Sequence, residues 1–100
     1  MDIKIQSIHF DATDQLQDFV GKKVKKLEKY CDEITSVEVS LRVIKPETAQ
    51  NKEAAIKLMV PKTDDIYSQK TADTFEEAVD NVVDALSKQL QKIKEKSRGK

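Results

Sequence analysis

His9 and Cys31 are the sole histidine and the sole cysteine of this 100-residue chain, so general-base or thiolate catalysis would have to run through one of them. Catalysis needs groups that converge, and no second ligand or base stands at helical or strand spacing from His9. His9 reads as a surface histidine at a strand end, and Cys31 as a small packing residue that closes an apolar helical stripe. The carboxylate pairs Glu76 with Glu77 and Asp64 with Asp65 fall in a helix's first turn and in a polar turn, where charge near a helix start and solubility account for them. With Gly21 and Gly99 as the two glycines, neither a GxxxxGK[ST] nor a GxGxxG phosphate cradle can be built. The residues therefore point away from an enzyme, and no cofactor, metal set or small-molecule substrate is expected.

The lysines are distributed less evenly. Net charge is zero, with 18 Lys and Arg against 18 Asp and Glu, which by itself speaks against a nucleic-acid partner. Yet Lys22, Lys23, Lys25, Lys26 and Lys29 stand together with one acid, Glu28. Lys88, Lys92, Lys94, Lys96, Arg98 and Lys100 stand together with one acid, Glu95. Such runs are usually solvated helix faces. Two of them in one small chain are a stronger sign, because they offer several separate contacts to the phosphates of a folded RNA. Base stacking on an open sheet would need exposed aromatics on the strands, and Tyr67 stands alone there.

The elements that carry these lysines follow from periodicity. Strict alternation in Val37-Glu38-Val39-Ser40-Leu41-Arg42-Val43 is the clearest strand. Weaker alternation predicts strands over residues 2–8 and 54–60, the latter stopped by Pro61, and residues 66–72 form the least marked one. Thr13 opens a helix to about Tyr30 with a stripe of Leu16, Phe19, Val20, Val24, Leu27 and Tyr30. Thr74-Phe75-Glu76-Glu77 is a capping box that opens a second helix to about Lys96, with a stripe through Val79, Val82, Leu86, Leu90 and Ile93. Residues 45–51 form a long polar tip between the second and third strands.

The order is βαβββα. An α+β two-layer sandwich satisfies every apolar face, with two helices packed on one side of a four-stranded sheet whose first two strands are parallel. Length allows one core, hence a single domain over residues 1–100 with a frayed end. The lone cysteine and the polar start, Met1-Asp2-Ile3-Lys4, suit a reducing cytoplasm. No apolar run reaches the roughly 20 residues of a membrane span.

The segment from Ala78 to Lys94 resembles the closing helix of the ribosome hibernation promoting factor and ribosome-associated inhibitor family. That helix reads approximately A-[IV]-D-x-[LIV]-[LIV]-D-x-L-x-[KR]-Q-[LI]-x-K-x-K, and each specified position is met. The first helix is similar as well, through Lys23, Lys26 and Leu27, and the resemblance runs the full length of a short-type member. It implies a fold like a double-stranded RNA-binding domain with an added first strand. The implied partners are the 16S rRNA of the small ribosomal subunit and the 70S ribosome, with messenger RNA and tRNA shut out of the decoding region. Carried over onto this sequence, the RNA-facing positions are Lys23, Lys26, Lys88, Gln89, Lys92, Lys94, Lys96 and Arg98, with Lys22, Lys25 and Lys29 as possible additions. Glu76 and Ala85 depart from the family pattern, which often has Tyr and Lys there. The resemblance also implies a protein that is monomeric off the ribosome. The rival reading, a protein-interaction module whose basic helices bind an acidic partner, needs no RNA.

Overall fold

The structure, a computed structural model, describes residues 2–8, 11–31, 33–44, 51–61 and 65–98, with side chains described up to residue 92. His9, the 45–50 tip, Asp64 and the side chains of Ile93, Lys94, Lys96 and Arg98 lie outside the described set.

Four strands form one sheet in the order β1 (Asp2–Ile8), β2 (Ser36–Val43), β3 (Lys52–Met59), β4 (Ile66–Ala72). β1 runs parallel to β2 and the other neighbours are antiparallel. The parallel pair follows from the intervening helix α1 (Asp14–Lys25), whereas no described helix stands between the strands of either antiparallel pair. A second helix, α2 (Phe75–Arg98), closes the chain. This is the expected βαβββα order.

Side chains along a strand alternate between the two faces, so register decides which residues form the core. Ile3 lies opposite Val37 and Ile5 opposite Val39, and across the next ladder Val39 meets Ile56 and Val37 meets Leu58. That face is covered by Val20, Val24 and Leu27 from the first helical segment and by Val79, Val82, Leu86 and Leu90 from α2. Cys31 is half-buried and packs against this cluster, as its sequence position predicts. No described helix is long and apolar enough to cross a membrane.

At both helix starts the threonine hydroxyl accepts a first-turn amide, as the sequence predicts. Leu16 N–H donates to Thr13 Oγ1 at 3.1 Å, and Glu77 N–H donates to Thr74 Oγ1 at 3.1 Å. The end of the first helix differs from expectation. The α-helix stops at Lys25, and Lys26–Lys29 continue as a 3₁₀ turn. Tyr30 N–H and Cys31 N–H both donate to the Leu27 carbonyl, at 3.0 and 3.2 Å, so the tightened turn satisfies an end-of-helix acceptor. Leu27 is fully buried, whereas Tyr30, the C-cap residue just beyond the turn, is 37% exposed and falls outside the apolar stripe assigned to it. The third strand starts two residues before Ala54 because Ile44 N–H donates to the Asn51 carbonyl at 2.9 Å, extending the hairpin.

Candidate nucleic-acid interface

The lysines occupy positions that the core leaves over. Val20, Val24 and Leu27 turn inward, and Lys22, Lys25, Lys26 and Lys29 are exposed. In the 3₁₀ turn, with three residues per turn, Lys26 and Lys29 stack on one side of the chain. Part of this enrichment has a plain structural cause: Lys22, Lys23 and Lys25 sit in the last turn of α1, where positive charge offsets the helix dipole.

On α2, Lys88 and Lys92 are exposed while Val79, Leu86 and Leu90 are buried, so the predicted opposition of basic ridge and apolar stripe holds for the described residues. Gln89 is exposed beside them. Four-residue steps advance about 6 Å along the axis and drift about 40° around it, so the ridge winds slowly over the helix. Lys94, Lys96 and Arg98 belong to the same helix by backbone.

The structure joins the two basic segments differently from the expected cluster of cations. Both helices run from acidic to basic: Asp14 and Asp18 precede the lysines of α1, and Glu76, Glu77, Asp80 and Asp84 precede those of α2. Where α1 meets α2, the contact is an ion pair, Lys23 Nζ to Asp80 Oδ1 at 2.7 Å. The same ammonium stands 5.4 Å from the centre of the Phe19 ring. The hydrogen bond to Asp80 raises the Lys23 pKa above its ordinary value of 10.5, with desolvation opposing, so the ammonium keeps its charge at neutral pH. Lys88 is also paired, with Asp84 one turn earlier at 3.2 Å, but both side chains are about two-thirds exposed and the bond is weak. Among the described residues, Lys22, Lys25, Lys26, Lys29 and Lys92 make no ion pair.

A second surface, the sheet face that no described helix covers, enters the sequence reading as a platform for base stacking, without the side-chain network that it carries. Ser40 and Ala55 are cross-strand partners there, and their small side chains leave a shallow hollow of about 300 Å³ between longer neighbours. Along its rim Tyr67 Oη donates to Gln69 Oε1, Gln69 Nε2 donates to Glu53 Oε2, and Arg42 Nη2 reaches Glu53 Oε1 at 3.0 Å. Glu38 adds another carboxylate. With Lys57 tied to Asp65 at 3.4 Å, this face carries both signs and pairs two of its cations, Arg42 and Lys57, with its own carboxylates, while Lys4 on β1 makes no ion pair among the described residues. The period-two positions 38, 40, 42 and 53, 55, 57 carried the signal, but only the register shows that the small residues meet.

A family model described as sigma 54 modulation protein / S30EA ribosomal protein matches residues 3–98. A ribosome hibernation promoting factor from Pseudomonas putida is 33% identical over 98 residues, spanning 98% of this chain and 91% of that protein. One from Azotobacter vinelandii is 36% identical, over 96% of this chain and 85% of that protein. One from Escherichia coli is 30% identical over 96% of each. Among solved structures, the Thermus thermophilus Protein Y N-terminal domain superposes with a TM-score of 0.78 at 26% identity, covering 93% of this chain and 99% of that one. A ribosomal subunit interface protein from Coxiella burnetii, at 23% identity and a TM-score of 0.83, shares the fold over 94% of this chain and 98% of its own.

Proposed function

Because the chain belongs to the sigma 54 modulation protein / S30EA ribosomal protein family, we propose that it is a cytoplasmic ribosome hibernation factor that binds the small subunit and silences idle ribosomes by occupancy. The observation that carries this reading is the set of lysines on the helical side that make no ion pair among the described residues: Lys22, Lys25, Lys26 and Lys29 at the end of the first helical segment and Lys92 on α2. A lysine ammonium is a point charge that meets a phosphate without demanding a base, so these residues give affinity and position. Lys23, Lys26, Lys88, Gln89, Lys92, Lys94, Lys96 and Arg98 are the proposed contacts to 16S rRNA. α2 is a rigid rod of 24 residues, about 36 Å long, that holds its cations in fixed order. Seated near the decoding region, the protein excludes messenger RNA and tRNA without any chemical step, and it acts as a monomer off the ribosome.

The test is sedimentation of the purified full chain with small subunits and with 70S ribosomes, alongside cell-free translation. The protein should travel with both particles and suppress synthesis in step with its occupancy. If its binding instead needs no ribosome and survives ribonuclease, an acidic protein partner takes the place of rRNA.

A further inference from the structure

Lys23 is the one lysine of the first helical segment that the structure holds on two sides. Its ammonium contacts Asp80 from the other helix at 2.7 Å and lies over Phe19, itself packed against the core, and the side chain is 26% exposed. The Lys88–Asp84 pair is unlike it: both residues belong to α2, so that bond ties nothing together. Asp80 also lies between the two basic segments. About 12 Å of helix axis separate it from Lys88 on one side, and Lys23 is its direct contact on the other. It remains half exposed, so any phosphate approaching the seam meets its negative charge.

We propose that Asp80 is a specificity-determining positioning residue: by holding Lys23 across the seam it fixes the two basic segments relative to each other and withholds one cation from RNA that offers charge without shape. This rests on the ribosome-binding reading above. Nonspecific RNA binding counts cations, because each neutralised phosphate releases counterions. Binding to a shaped site also needs those cations at set positions. A carboxylate at the seam penalises the first and supports the second. It explains how a chain of zero net charge, with acidic first halves on both helices, can discriminate between one folded site and bulk RNA.

The full chain carrying Asp80→Asn, measured against purified small subunits and against an unrelated RNA duplex over a range of salt, tests this. Duplex affinity should rise by up to about threefold at low salt, the effect of one unit charge about 6 Å away in water. The logarithmic salt slope should steepen by about 0.7 to 0.9 as Lys23 becomes available to phosphate. Small-subunit affinity should not rise in step, so the ratio between the two falls, and Asp80→Glu should restore it. In a Lys23→Gln background the Asp80→Asn change should leave the salt slope where it was. An unchanged ratio, the same shift in slope without Lys23, or a parallel loss of both affinities with a lower melting temperature would overturn the role of Asp80 alone. Wild-type protein that fails to bind small subunits would overturn the functional reading and this inference with it.

Discussion

The two faces of the sheet use the same residue types to opposite ends. On the open face, Arg42 and Glu53 form an ion pair in which the carboxylate side chain is 12% exposed, and Gln69 and Tyr67 extend the network. On the helical side, most of the described lysines stand in solvent, and the Lys88–Asp84 pair is two-thirds exposed at each end. Charges that satisfy one another at low exposure stabilise a surface, whereas charges left in water are available to a partner. The helical side, where most of the unpaired lysines gather, is therefore the proposed binding side, a distinction that a net charge of zero does not make.

The largest effect should come from the core that both faces share. Leu86 is fully buried, and Leu86→Ala should cost about 2–5 kcal/mol in urea-induced unfolding, weakening both faces together. A loss confined to one face would mean that the layers are independent.

Arg42→Ala separates the faces. It leaves Glu53 with fewer donors, and should cost about 1–2 kcal/mol of stability. It also removes Arg42 Nε, which is buried without a hydrogen-bond partner among the described residues, so part of the loss is returned. Ribosome binding at a temperature where the variant is folded should be unaltered, and a drop would bring the open face into the interface.

Gly21→Ala works in the other direction. A methyl group at Gly21 meets nothing within 4 Å, and the residue sits inside α1, so thermal unfolding should show a gain of about 0.5–1 kcal/mol with binding unchanged.

The smallest change is electrostatic. Lys92→Gln should flatten the logarithmic salt dependence of ribosome binding by about 0.7 to 0.9, whereas Lys57→Gln, on the open face, should leave it unchanged. Equal slopes for the two variants would erase the distinction between the faces.

Much of this was legible from local pattern. The alternation of residues 37–43, the caps at Thr13 and Thr74 and the stripe through Val79, Leu86 and Leu90 depend on neighbours within a few residues, and all are realised. Tyr30 misled because its spacing assumed that the α-helix continues, while the helical segment ends at Lys29 and leaves Tyr30 as a C-cap residue that is 37% exposed. The Lys23–Asp80 contact joins residues 57 positions apart, and nothing local says which α2 residue faces α1. The hollow over Ser40 and Ala55 likewise depends on strand register. The basic segments and the acids Asp80, Asp84 and Glu95 among them were therefore legible in the sequence, but the pairing of Asp80 with Lys23 across the seam was not.

The most direct test of the central claim compares charge reversals of equal size on the two faces. Lys26→Glu with Lys92→Glu on the helical side, and Lys4→Glu with Lys57→Glu on the open side, shift net charge identically. Their circular dichroism spectra should both remain folded. In cosedimentation with small ribosomal subunits, the helical pair should lose about tenfold or more in affinity through two reversed phosphate contacts, and the open-face pair should stay within about threefold of the parent. Equal losses from the two pairs, or a greater loss from the open-face pair, would contradict an interface built on the helices.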